Sequence, residues 1–138
     1  MSTNHARTQT TINCELMRNI TKPVGVVVTL RYHTHDPLAI QLEFDLPERG
    51  LTTRRVGREL LSAGMTSRTG EGAVRVSPIG GIVLVDVGRP VRDFLCSFPA
   101  DQLSEFIRTT YALVPVDYEA EFLNIDSVLD RLISNDPK

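Results

Sequence analysis

The 138-residue chain reads as an α+β domain with antiparallel strands, and three features of the sequence say so. Apolar and polar residues alternate along the strand-like runs, as in sheets that bury one face and wet the other. The runs come in blocks, each followed by a helical stretch. Single strands never alternate with long helices, which excludes a doubly wound parallel sheet.

The first nine residues, MSTNHARTQ, are polar and without periodicity, so a disordered N-terminal tail is expected over 1–9. From Thr10, apolar Ile12, Cys14 and Leu16 alternate with polar Asn13 and Glu15, a first strand that Lys22-Pro23 ends. The next run, VGVVVTLRY, is β-branched and then places Leu30 and Tyr32 opposite Arg31, as a central strand would. Asp36 before Pro37 predicts a reversal, because proline disfavours helical geometry in the residue before it. Leu38, Ile40, Leu42 and Phe44 then share one side of a third strand, and Leu51–Arg55 reads as a fourth, weaker one.

A short helix is predicted from Val56 to Gly64. Three further strands follow, in GAVRVSP, GIVLVDV and VRDFLCSFP, with Gly70, Gly72, Gly80, Gly81 and Gly88 at the turns. Pro99 opens a helix with Leu103, Phe106, Ile107 and Tyr111 on one face, which must stop before Pro115. A loop to Asn124 leads to a last helix carrying Ile125, Val128, Leu129, Leu132 and Ile133 on one stripe. Residues 10–134 are thus expected as one domain and 135–138 as a C-terminal tail.

Hydrophobic residues make up 41% and charged ones 23%, ordinary globular usage that excludes disordered, collagenous and coiled-coil chains. The apolar run from Val24 to Leu30 is far shorter than the roughly 18 residues of a bilayer-spanning helix, so no membrane span is predicted. The N-terminus lacks the apolar stretch of a secretory signal, which predicts a cytoplasmic protein. Cys14 and Cys96 sit in strand-like runs and are expected as buried thiols rather than a disulfide framework.

The chain carries a formal charge of -2, unevenly spread. Six arginines stand against two acids between Arg49 and Arg75, and eight acids against three basic residues from Ala100 onward. Guanidinium forks pair bidentately with carboxylates and phosphates, so Arg54, Arg55, Arg58 and Arg68 are the candidate partner-binding residues. Scarce aromatics and the absence of Trp make nucleic acid a less favoured partner, since single-strand binders rely on stacking platforms.

No catalytic, cofactor-binding or metal-binding set stands out. His33-x-His35-Asp36 has ligand-like spacing but lacks a third donor, and Asp36 is accounted for by the turn with Pro37. The glycine pairs lack the lysine and strand-to-helix context of phosphate loops. No serine sits in a nucleophile elbow. Asp86 and Asp93, flanking a glycine turn, read as hairpin carboxylates rather than an acid–base pair.

Ordered blocks along the chain resemble a known family. The stretch from Leu30 to Pro37, LRYHTHDP, is similar to the LRY-x-T-x-DP motif of the SsgA-like sporulation and cell division proteins of mycelial actinobacteria. Gly57-Arg58-Glu59-Leu60-Leu61, then Gly64, and the run from Gly70 through Val74-Arg75-Val76 to Pro78 resemble its second block. Phe106-Ile107, Val114-Pro115 and Leu129-Asp130-Arg131-Leu132-Ile133 follow in order. The sequence departs from the family at Arg54 and Val56, where members often carry an aromatic pair, and at Leu38, where Tyr is frequent.

The resemblance implies a whirly-like fold, strand blocks each followed by a helix. It also implies a non-enzymatic role in septation, without cofactor, through the tubulin-like division protein FtsZ or other SsgA-like proteins. It implies a homo-oligomer, trimers being known in the family, and a location at division septa. The whirly likeness carries the alternative of a single-stranded nucleic-acid-binding module, on fold analogy alone.

Overall fold

The computed structural model describes residues 5–17, 22–88 and 92–123. Eight strands form one antiparallel sheet: β1 (Arg7–Leu16), β2 (Val24–His33), β3 (Ala39–Leu46), β4 (Gly50–Gly57), β5 (Thr69–Glu71), β6 (Val74–Ile79), β7 (Ile82–Val87) and β8 (Phe94–Pro99). Their order across the sheet is β4-β3-β2-β1-β8-β7-β6-β5, so each half is a meander and β1 and β8 join the two. Helix α1 (Arg58–Gly64) connects the halves, and α2 (Ala100–Leu113) follows the second.

The sheet is strongly curled. On a flat sheet β3 and β8 would lie roughly 14 Å apart, three strand spacings. Yet the Phe44 ring of β3 meets Phe94 of β8 edge-on, with centroids 4.8 Å apart, and lies 6.3 Å from Phe98. The alternation read in the sequence supplies the enclosed face: Ile12, Cys14 and Leu16 of β1, with Val28 and Leu30 of β2 and Leu42 and Phe44 of β3, are all buried. Leu103, Phe106 and Ile107 close the core from α2.

Helix α1 lies so close to the second half that a Cβ on Gly64 would fall 2.2 Å from Cγ1 of Val76. Only glycine fits there. Gly50, at φ +75°, turns the chain from β3 into β4 in a conformation costly for any other residue but asparagine or aspartate.

Several expectations are corrected in detail. The disordered tail expected over 1–9 does not hold for Arg7–Gln9, which belong to β1 and pair with His33, Tyr32 and Arg31. The polar sequence concealed them because pairing with β2 fixes the backbone whatever the side chains are. The fourth strand is longer than expected, and Val56 belongs to it, opposite Ile40, so α1 starts at Arg58. Gly70 lies within a short edge strand, β5, rather than at the turn, which Gly72 makes at φ +64°. The expected loop after Pro115 contains a 3-10 turn at Val116–Tyr118 and a four-residue helix, α3 (Glu119–Phe122). The predicted helix with the stripe from Ile125 to Ile133, and the tail 135–138, lie outside the described residues.

Candidate functional site

The four arginines singled out in the sequence do not form one patch. Alternation along β4 sends Arg54 to the core side, opposite Leu42, and Arg55 to the outer face, opposite Gln41. Arg54 reaches across the curl to the loop before β8, where its Nη2 donates to Asp93 Oδ2 at 3.0 Å. Arg49 grips the same carboxylate with two bonds, of 3.0 and 3.1 Å. Both guanidiniums stand over the Phe94 ring, at 5.7 and 5.8 Å from its centroid. The hydrogen bond from Arg49, reinforced by Arg54, holds the Asp93 carboxyl below its usual value. Two cations thus share one carboxylate at this rim, beside Glu48.

Arg55 is neutralised elsewhere. It forks onto Asp36, Nε to Oδ2 at 2.7 Å and Nη2 to Oδ1 at 2.6 Å, and that hydrogen bonding raises its own pKa further. The Asp-Pro turn thus supplies the counterion for the outer face of β4. Arg68 is exposed in the loop after α1, apart from the β4 pair in sequence and element.

Arg58 is withdrawn from the surface altogether, a correction to its reading as a partner-binding residue. Its side chain is fully buried. Nη1 donates to the carbonyls of Thr110 and Val114, at 3.0 and 2.8 Å, satisfying the open C-terminal end of α2, where cations are favoured. Nη2 donates to Glu119 at 2.6 Å. The guanidinium stacks 3.9 Å from the Tyr111 centroid and 5.3 Å from that of Tyr32. Its Nε alone lacks a hydrogen-bond partner among the described residues. The sequence hid this role because the acceptors lie more than fifty residues away, on elements that only the fold brings over α1.

The hairpin carboxylates are likewise committed. Asp86 receives Arg92 at 2.9 and 3.1 Å and Arg75 at 3.4 Å. Burial alone would push its carboxyl up, but the two arginines together hold it below the usual value. Cys14 and Cys96 are free and buried. Hydrogen bonding to Cys96 and then burial push the Cys14 thiol up, so it stays protonated and unreactive. His33 and His35 lie 5.6 Å apart by ring centroids; among the described residues, no three His, Cys, Asp or Glu side chains are grouped to hold a metal ion. Nor, among those residues, is any helix long and apolar enough to cross a membrane.

The larger concavities are open grooves. One of about 500 Å³ runs between β1 and α2, lined by Thr8, Thr10, Asp101, Glu105 and Phe106. Another of about 430 Å³ lies over α1, among Leu38, Leu60, Ala63 and Glu119. Two of the acids lining them serve the fold: Glu105 is bonded by Arg108 and Glu119 by Arg58.

Residues 26–119 match the family model described as Streptomyces sporulation and cell division protein, SsgA. The sporulation-specific cell division protein SsgB of Frankia casuarinae is 32% identical over 120 residues, 84% of each chain. The crystal structure of an SsgA-like sporulation-specific cell division protein from Thermobifida fusca superposes with a TM-score of 0.84 at 29% identity, over 95% of this chain and 98% of that one. A solved structure concerned with mutations in SsgB that correlate to longitudinal cell division during sporulation of Streptomyces coelicolor gives 0.81 at 27% identity, over 89% and 100%.

Proposed function

The chain belongs to the SsgA family of sporulation and cell division proteins, and we propose that it is a non-enzymatic regulator of septation that helps position or assemble FtsZ through protein–protein contacts. The observation that carries the reading is the match, over most of both chains, to proteins named for sporulation-specific cell division. The chemistry of the surface agrees with it. The hairpin and turn carboxylates are held by arginines, and both thiols are buried. The curled sheet, with two strand blocks each followed by a helix, is the whirly-like arrangement of this reading and serves as a rigid scaffold. A homo-oligomer, a trimer in this reading, would multiply weak contacts by effective concentration and concentrate the protein at cytoplasmic septa.

Co-sedimentation with FtsZ filaments tests the proposal. Co-pelleting or a change in filament assembly is expected; if neither occurs, direct action on FtsZ is wrong for this chain. The single-strand nucleic-acid reading has less to rest on, because Arg58 is buried and Arg54 and Arg55 already hold carboxylates.

A further inference from the structure

Three imidazoles gather at the N-terminal end of β1, and septation as proposed above makes no use of them. The His5 ring stacks on that of His35, centroids 3.7 Å apart and planes 19° from parallel, and His33 flanks His35 at 5.6 Å. Beneath them Thr34 is buried, at 1% exposure. Its hydroxyl accepts the Ala6 N–H at 2.8 Å and meets His5 Nδ1 at 3.1 Å. Its own N–H donates to the Ala6 carbonyl at 2.9 Å. The chain's entry into the sheet is therefore fastened by two hydrogen bonds to the Ala6 backbone under one ring stack.

The surrounding charges decide how that stack responds to protons. From β1, Arg7 stands opposite His33 in the ladder. From β2, Arg31 is engaged by Glu43 at 3.2 Å. From the turn and from β4, Asp36 and Arg55 hold each other. The carboxylates within reach are thus occupied, and Arg7 adds positive charge. Neutral imidazoles stack without penalty, whereas two imidazoliums at ring contact repel, an effect that water at these three exposed rings screens to a modest size.

We propose that His5, His33 and His35 form a proton-operated clasp, which holds the N-terminal end of β1 against β2 while neutral and releases it once protonated. His5 is exposed, and the slight desolvation of its ring, then the neighbouring His35 and His33, lower its pKa from 6.5. A lowered pKa gives stabilisation that is complete above the unfolded value and is lost as pH falls below it. Opening would peel Arg7–Gln9 from the ladder and bare Thr34, leaving the core beyond Ile12 in place.

Amide hydrogen exchange followed by NMR tests this. Protection at Ala6 and Thr34 should fall roughly three- to tenfold from about pH 7.5 to about pH 5.5, while Val28 in the core keeps its protection. His5→Phe combined with His35→Phe retains two stacking rings that cannot be protonated, and should abolish the fall. Equal protection at both pH values, or a fall that persists in the double variant, overturns the clasp. Ring-proton titration of the unaltered protein gives a second readout: His33→Gln should raise the titration midpoint of His5. Three imidazoles titrating independently at the ordinary value would equally overturn it.

Discussion

Arg58 and Glu119, 61 residues apart in the chain, meet in an ion pair of 2.6 Å whose arginine is wholly buried and whose carboxylate lies at the rim, 25% exposed. One side chain thereby joins the start of α1, the C-terminal end of α2 and the start of α3. Removing a partner from a buried pair costs more than the pair contributes, because the remaining polar groups stay desolvated. Arg58→Ala should therefore destabilise the fold by about 3–5 kcal/mol. Glu119→Ala should cost less, about 1–3 kcal/mol, since water can reach the pair from the rim. Urea denaturation of both variants checks this, and near-zero loss at Arg58 would contradict a structural role.

Tyr32 lies beside that guanidinium, buried at 1% exposure, and its hydroxyl donates to the Pro37 carbonyl at 3.0 Å. Burial is the main cause that pushes the phenol from 10 up to about 12. A raised acid pKa means the fold favours the protonated form. The stabilisation is full below pH 10 and lost as pH rises from there toward about 12, a difference of roughly 3 kcal/mol. Tyr32→Phe should cost about 1 kcal/mol at neutral pH and flatten the alkaline loss. Melting temperatures from about pH 8 to about pH 11 discriminate, and an unchanged slope in the variant would place the alkaline loss elsewhere.

Gly64→Ala tests the contact between α1 and β6. The added methyl would lie 2.2 Å from Cγ1 of Val76, closer than any real contact, and Val76 is itself fully buried. Overpacking of this kind costs about 1–3 kcal/mol. Because the Cβ of Val76 also lies 2.5 Å from that position, only Val76→Gly makes room. Gly64→Ala with Val76→Gly should recover part of the overpacking loss, and a double-mutant cycle in urea measures the recovery. Strict additivity of the two substitutions would show that the helix does not press on the strand.

What the sequence made legible follows from range. The alternation from Ile40 to Phe44, the Asp36-Pro37 turn and the helix bounded by Pro99 and Pro115 are signals carried by neighbouring residues, and each holds in the structure. Leu38, expected on the same side, is instead 46% exposed in the turn before β3. Ala39 is buried in its place because the turn, not the strand, sets the backbone at 38. The resemblance of LRYHTHDP and GRELL to one family was legible for the same reason. Long-range pairings were not. Nothing local distinguishes Arg58, which turns inward to meet α2, from Arg55, which turns outward to meet Asp36. Asp93, read as an exposed hairpin acid, gains its two arginines only because the sheet curls enough to bring the β3–β4 end over β8. The polar start of β1 escaped notice because its order comes from β2 and Thr34 rather than from its own pattern.

Charge reversal at Arg54 and Arg55 is the sharpest test of where a partner binds. Losing exposed ion pairs costs about 0–1 kcal/mol each, and the carboxylate–carboxylate contacts that reversal creates add to it, so Arg54→Glu with Arg55→Glu should cost about 1–3 kcal/mol and leave the circular dichroism spectrum unchanged. Reversal sets a new carboxylate beside Asp93 on the core side of β4, where Arg49 alone remains to hold it, and another against Asp36 on the outer face in place of the Arg55 fork. Binding that uses either of these arginines should weaken at least tenfold, with a smaller salt dependence than the unaltered protein shows. Binding to a division partner, followed by co-sedimentation at low and high salt, supplies the measurement. Unchanged affinity in a folded double variant would remove β4 from the interface and point to another surface, such as the groove among Leu38, Leu60 and Ala63 over α1.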